Sequence, residues 1–365
     1  MARTRRWIVA AVALAGTVLL GAQPALACGG LVGPGGTVQL ARTTTLAGYH
    51  DGVEHYLTSF TYAGGGAKFG SIVPLPGVPS DVRKGGEWTL QRLVRETQPQ
   101  RLSLEAVAAA PAASRDAAEE LLTTRVDALD ITVLRGGGKA VGDWAREHGF
   151  GLSVDAPEVL DFYAARSPIF MAASFDARRA DARGQNLGDG TPIHLTIPTA
   201  NPWVPLRILG LGHQPEDRIQ ADVYLLTDSR PALLPGPEQA GAPGVALERS
   251  GPASDLLLAD LRADKGMGWL PASGMWLSYL RIDAAAGALT HDLAVDASGR
   301  RRPSPVAAGL AAPSAAAERT AGPAAPSGAP AGPWPWPALP LAAAAAGLAL
   351  LAGLGLRARA RAERS

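Results

Sequence analysis

A single cysteine occurs in 365 residues: Cys28, in the run Ala25-Leu26-Ala27-Cys28-Gly29-Gly30. If the chain is cut behind Ala27, Cys28 becomes an N-terminal nucleophile whose own α-amine can serve as base, as in amidohydrolase-like chemistry. Lipid attachment asks for leucine, a small residue and then Gly or Ala ahead of the cysteine. Here Ala25 and Leu26 stand in the third and second places, with Pro24 before them, a poor match. The expected use is the plain one, a small residue opening a turn with Gly29 and Gly30.

Six histidines are scattered along the chain. His50 and His55 flank Asp51-Gly52. In a hairpin turned at those two residues His50 pairs with Val53 and His55 lies diagonally on the same face, about 7 to 8 Å away. Glu54 points to the other face, so only two ligands converge where zinc asks for more. A solvated sheet face is expected, and His148, His194, His213 and His291 show no ligand spacing. No Gly-x-Ser-x-Gly elbow is present. Gly64-Gly65-Gly66-Ala67-Lys68 lacks the Gly-Lys-Ser/Thr ending of a phosphate loop, and Gly210-Leu211-Gly212 lacks the third glycine of a dinucleotide fingerprint. Glu119-Glu120 falls at the start of an expected helix, where the helix dipole and solvent account for it. Trp203, Trp269 and Trp276 have faces that can stack on sugars, but core packing is the expected use. No catalytic residue, metal ligand or cofactor follows from these patterns.

The chain ends are more informative. Arg3, Arg5 and Arg6 precede an uncharged apolar run over 7–22, and Pro24 breaks it before the small residues Ala25 and Ala27. Residues 1–27 therefore read as an export signal. Residues 4–9 also resemble a twin-arginine motif, but the strongly apolar core fits the general secretory route better. Residues 338–356 carry no charge and suffice, at about 1.5 Å per residue, to cross roughly 30 Å of hydrocarbon as a transmembrane helix. Trp334 and Trp336 stand at the expected membrane interface, and Arg357, Arg359 and Arg361 follow at once as a positive-inside anchor. Both apolar segments thus keep their arginines in the cytoplasm and leave the body outside. The layout is similar to a wall-sorting signal, but Leu339-Pro340-Leu341-Ala342-Ala343 has no Thr-Gly, which favours membrane retention.

Residues 300–337 are dominated by Pro, Ala, Gly and Ser and have too little apolar surface to offset ordering entropy. They read as a stalk that, as polyproline II at about 3.1 Å per residue, reaches on the order of 100 Å. Removing three arginines of the leader, and four arginines and one glutamate of the tail, from 34 basic and 33 acidic residues leaves a charge of −5. Such a body lacks the basic footprint of a nucleic-acid binder. Residues 28–299 are long enough for one large domain or two subdomains, and with one cysteine no internal disulfide can staple them.

Within this body, 37–65 reads as a β-hairpin about Asp51-Gly52. A short strand follows, ending at Pro74, Pro76 and Pro79. Helices are expected over 87–95 and 114–125, the second capped by Ser114 with Asp116, Glu119 and Glu120 in its first turns. A strand over 129–134, an amphipathic helix over 139–148 closed by Gly149, and a helix over 156–166 come next. Strands are expected over 169–175, 192–198, 205–211 and 219–227. The sum is an α+β fold, mainly antiparallel β-sheet with a helical middle, plus the C-terminal transmembrane helix.

Several ordered blocks resemble one family. They are Ala27-Cys28-Gly29-Gly30, the run over 69–79, and the segments 129–152, 159–176 and 192–211. Together they resemble the bacterial exported family called domain of unknown function 2330, over residues 28–227. The resemblance implies a secreted or membrane-tethered protein with a Cys-Gly-Gly start and a helix whose tryptophan precedes a Gly-aromatic pair, here Trp144, Gly149 and Phe150. Members often carry another cysteine soon after the first. Leu31-Val32-Gly33 stands there instead, so a bridge implied by the family is absent. The family supplies no activity, hence no catalytic residue to carry over.

The expectation is a non-enzymatic, single-pass, membrane-tethered extracytoplasmic domain that binds an envelope protein or glycan partner. Its tail, 357–365, would lie in the cytoplasm. The alternatives are an envelope hydrolase acting on peptide or glycan, and a spacer that serves presentation.

Overall fold

The computed structural model describes residues 25–26, 30–33, 36–37, 42–60, 70–97, 118–184, 191–237 and 243–313. The expected leader before Ala25, Cys28, the expected transmembrane segment, Trp334, Trp336, Arg357, Arg359 and Arg361 lie outside the described residues. Among the described residues no helix is long and apolar enough to cross a membrane.

In chain order the strands are β1 (Ala25–Leu26), β2 (Gly30–Gly33), β3 (Gly36–Thr37), β4 (Arg42–His50), β5 (Val53–Phe60), β6 (Gly70–Pro74) and β7 (Asp81–Lys84). After helix α1 (Thr89–Thr97) come β8 (Glu119–Val126), β9 (Leu129–Arg135), helices α2 (Gly138–Glu147) and α3 (Ala156–Ala164), β10 (Ile169–Phe175) and α4 (Ala177–Ala182). The last third holds β11 (Thr191–Pro198), β12 (Trp203–Val204), β13 (Arg218–Thr227), β14 (Ala232–Leu234), β15 (Val245–Pro252), α5 (Asp255–Ala263), β16 (Trp276–Ala285) and β17 (Leu293–Asp296).

The large sheet runs β15-β16-β13-β4-β5-β11-β7, with β1 beside the start of β4; the second runs β3-β2-β6-β10-β9-β8, and a small sheet runs β12-β17-β14. Alternation along β13 explains the layering. Ile219, Ala221, Val223 and Leu225 enter the core shared with the second sheet, where they meet Ile131, Val133 and Met171. Tyr224 and Leu226 point the other way, onto Leu93 of α1 and Leu257, Leu258 and Leu261 of α5. The far face of the second sheet, with Ile72, Phe170 and Ala172, is covered by Val141 and Trp144 of α2 and Leu160 and Tyr163 of α3. Two sheets face each other and each carries helices on its outside, so central strands are apolar on both faces. Each such Leu or Ile removed from water contributes roughly 1.5–3 kcal/mol before entropy is counted.

The α+β class, the hairpin at Asp51-Gly52 and most central elements stand where expected. Both turn residues are left-handed, with φ of 50° and 79°, as a two-residue hairpin turn requires. Four expectations are corrected or refined. The part of 114–125 that is described is an edge strand, β8, joined to β9 by Asp127 (φ 52°) and Ala128 in another tight hairpin. Thr123, Thr124 and Val126 are β-branched, and burial rises from exposed Thr123 to buried Val126 at the turn, so pairing with β9 overrides the helix signals. The strand expected at 205–211 is a 3-10 turn over Arg207–Gly210, held by backbone bonds to Asp292 and Tyr163. The large sheet is mixed, because β4 and β13 run parallel over seven register pairs. Residues 300–313, placed in the stalk by composition, lie on the body: Ala307 and Ala308 are buried, and the Asp292 amide donates to the Ala308 carbonyl at 3.0 Å.

Candidate functional site

Four groups of buried polar side chains are candidates, and the outer face of the large sheet holds the first. His55 follows the alternation of β5 to the α1 and α5 side, and Gly48 is its register partner on β4. His194 on β11 points the same way, and Nδ1 of His55 and Nε2 of His194 share a hydrogen bond of 3.1 Å. Trp269, from the segment after α5, stacks on His55 with centroids 4.0 Å apart and planes within 4°. Only a glycine permits this, since a Cβ on Gly48 would stand 2.3 Å from the Trp269 ring. His194 Nδ1 and Trp269 Nε1 are buried without a hydrogen-bond partner. Arg83, ion-paired to Asp81 at 3.0 Å, is the nearest fixed cation.

The two rings are neutral. Burial first, then the neighbouring ring, Arg83 and His50, push His55 down to about 3. Burial and then Arg83 push His194 down to about 4. A base that weak is poorly matched to proton abstraction near neutral pH. The solvated sheet face expected for His50 and His55 holds only at His50, which bonds Asp228 at 2.6 Å by the hairpin tip. His55 is buried, because 269 lies over it and 194 beside it. Both neighbours are remote in sequence, which is why spacing did not reveal them.

Glu54, one residue earlier, projects to the opposite face, as the strand period demands. It is fully buried and neither carboxyl oxygen completes a hydrogen bond. The Trp203 backbone favours its charged form, but desolvation outweighs this and pushes the carboxyl up to about 8. Glu54 is therefore a protonated acid at neutral pH. A sheet thickness separates it from the imidazoles, so the acid and the bases cannot address one substrate atom.

The third cluster is a buried ion pair. Arg166, just past α3, donates from Nη2 to Asp292 at 2.6 Å and from Nη1 to the Ala307 carbonyl at 2.5 Å. Its guanidinium lies 4.1, 4.9 and 4.7 Å from the ring centres of Phe162, Tyr163 and Trp203. Asp292 also accepts from the Tyr163 hydroxyl at 2.8 Å and from the Leu206 and Arg207 amides at 2.8 and 3.0 Å. Burial, then Asp292, hold the Tyr163 phenol well above its ordinary range. Trp203 is thus a core residue, and every strong charge here has an internal partner.

In the fourth, the Asp264 carboxylate accepts from the Glu87, Trp88 and Thr89 amides and the Thr89 hydroxyl at 2.7 to 3.2 Å. It caps α1 from a distant segment, and Gly86 is needed because a Cβ there would stand 2.1 Å from Asp264 Oδ2. Glu119 and Glu120 lie on the β8 edge, where Glu120 accepts from Trp144 Nε1 at 3.1 Å. Trp276 is half-buried and donates to Ser250 at 2.9 Å. Among the described residues no three His, Cys, Asp or Glu side chains are grouped to hold a metal ion.

A family model described as an uncharacterized protein conserved in bacteria, domain of unknown function 2330, matches residues 22–245. No curated protein and no solved structure matches the chain.

Proposed function

The chain belongs to the bacterial family of domain of unknown function 2330, and from that premise we propose that it is a membrane-tethered domain displayed outside the cytoplasm, where it engages an envelope protein or glycan. One observation carries the reading: each chain end holds an uncharged apolar segment with arginines on the side that must stay inside. The packing of Ala307 and Ala308 on the body supports it, since the Pro/Ala-rich run follows these residues in the sequence. The buried charges support a binder over a hydrolase, because Arg166, Asp292 and Asp264 are engaged within the fold and Glu54 and the histidine pair face opposite ways.

Reporter fusions test the topology. A reporter active only outside the cytoplasm should work when joined after residue 313 and fail when joined after residue 365. The reverse pattern would overturn the tether. Cross-linking in intact cells, with the full chain and with a chain lacking 28–313, tests the partner; a cross-linked species that survives the deletion counts against binding by the body.

A further inference from the structure

The segment from Asp264 to Met275 is tied down at both ends by hydrogen bonds to other parts of the fold. Asp264 holds the amides before α1, and the Met275 carbonyl accepts from the Ala253 amide at 2.9 Å. Between them Gly266 has φ of 82°, with room for a Cβ only at 3.3 Å from His194 Nδ1, and Trp269 rests on His55 over Gly48. The middle of the segment is therefore seated on two imidazoles that hydrogen-bond each other.

We propose that the His55–His194 pair is an acid-released clasp, which holds Trp269 and its loop on the outer face of the large sheet until both rings carry a positive charge. The neutral pair holds one proton on each ring, and one of these lies between Nδ1 of His55 and Nε2 of His194. A third proton is tolerated, because a charged N–H still faces a lone pair and a cation under an indole face is attracted to it. A fourth leaves N–H facing N–H at the present 3.1 Å between two cations, so the rings must part. His55, the less enclosed ring, then moves and unseats Trp269. The charged groups facing the pair add to the push: Arg83 on β7 and, across β4, His50 when protonated. Asp81 is bound to Arg83, Asp228 and Asp51 to His50, and Asp264 is engaged by α1. The main-chain hydrogen bonds beneath the clasp do not titrate. β11 and β5 share eight register pairs of main-chain bonding beneath the clasp.

The inference does not depend on where the protein resides. It is tested with the full chain by the tryptophan emission lost in Trp269→Phe, followed from pH 7 to 3, beside hydrogen exchange of the same samples. Opening takes up two protons between roughly pH 5.5 and 4, about a hundredfold change in the open-to-closed ratio per pH unit, and one proton below that, about tenfold, because the closed pair then already holds the third. Exchange should quicken in 265–274 while β5 and β11 stay protected, and His194→Phe, which keeps a ring but cannot be charged, should abolish the step. If that variant does not fold, the exchange pattern of the unaltered chain decides. Loss of 265–274 and the sheet at one pH, a slope of only one proton above pH 4, or a step that survives His194→Phe would each overturn the clasp.

Discussion

Glu54 is the residue whose chemistry most departs from its type. An unfolded chain ionises it near its ordinary value of 4.5, whereas the folded chain keeps it protonated to about 8. Between those values the folded state holds the extra proton, so this contribution to stability falls as pH rises and is fully lost only above the folded value. His55 and His194 are held neutral in the fold and their unfolded forms lose their protons around pH 6.5, so from about pH 7.5 upward Glu54 gives the principal slope. The urea midpoint should therefore drop between pH 7 and pH 9, by the equivalent of about 1–2 kcal/mol, while Glu54→Gln should hold its midpoint constant. Equal drops in both proteins would mean that the carboxyl is hydrated and ionised in the fold.

At the scale of elements, the outer face of β4 shows how one missing side chain positions another. Gly48 sits among strand formers, where glycine weakens a strand by roughly 0.5–1 kcal/mol against alanine. Here alanine should be worse, since its Cβ would lie 2.3 Å from Trp269. Gly48→Ala is expected to destabilise by about 1–3 kcal/mol, and in a Trp269→Ala background to be neutral or mildly stabilising. Additive effects in the double-mutant cycle would remove the contact. The same strands show what could be read in advance. The hairpin at Asp51-Gly52, the opposite facing of Glu54 and His55, and strand β10 follow from turn chemistry and a period of two, which are local. The His55–His194 bond spans 139 residues, and the sheet order that brings β11 beside β5 is not a local property. The β8 hairpin was missed because Asp127-Ala128 is not a glycine turn, and acidic residues ahead of leucines imitate a helix start.

For the whole molecule, the matched family region and the folding unit do not end together. The match stops at residue 245, the first residue of β15. Yet β16 pairs with β13 along all ten residues of each, and Leu280, Ile282, Leu293 and Val295 complete the core between the sheets. Asp292 alone neutralises Arg166 inside a cage of aromatic rings, with side-chain exposures of 0% and 5%. A body ended at 245 would leave that guanidinium buried without its carboxylate and β13 as a bare edge in the middle of the fold. A chain spanning 28–245 should therefore show no cooperative urea transition, whereas one spanning 28–313 should unfold in a single transition. Asp292→Asn in the longer chain should cost about 3–5 kcal/mol, because the amide keeps the shape and loses the charge that Arg166 needs. A cooperative transition from 28–245 would show that the last strands are an accessory layer, and a cost under about 1 kcal/mol for Asp292→Asn would show that water reaches the ion pair.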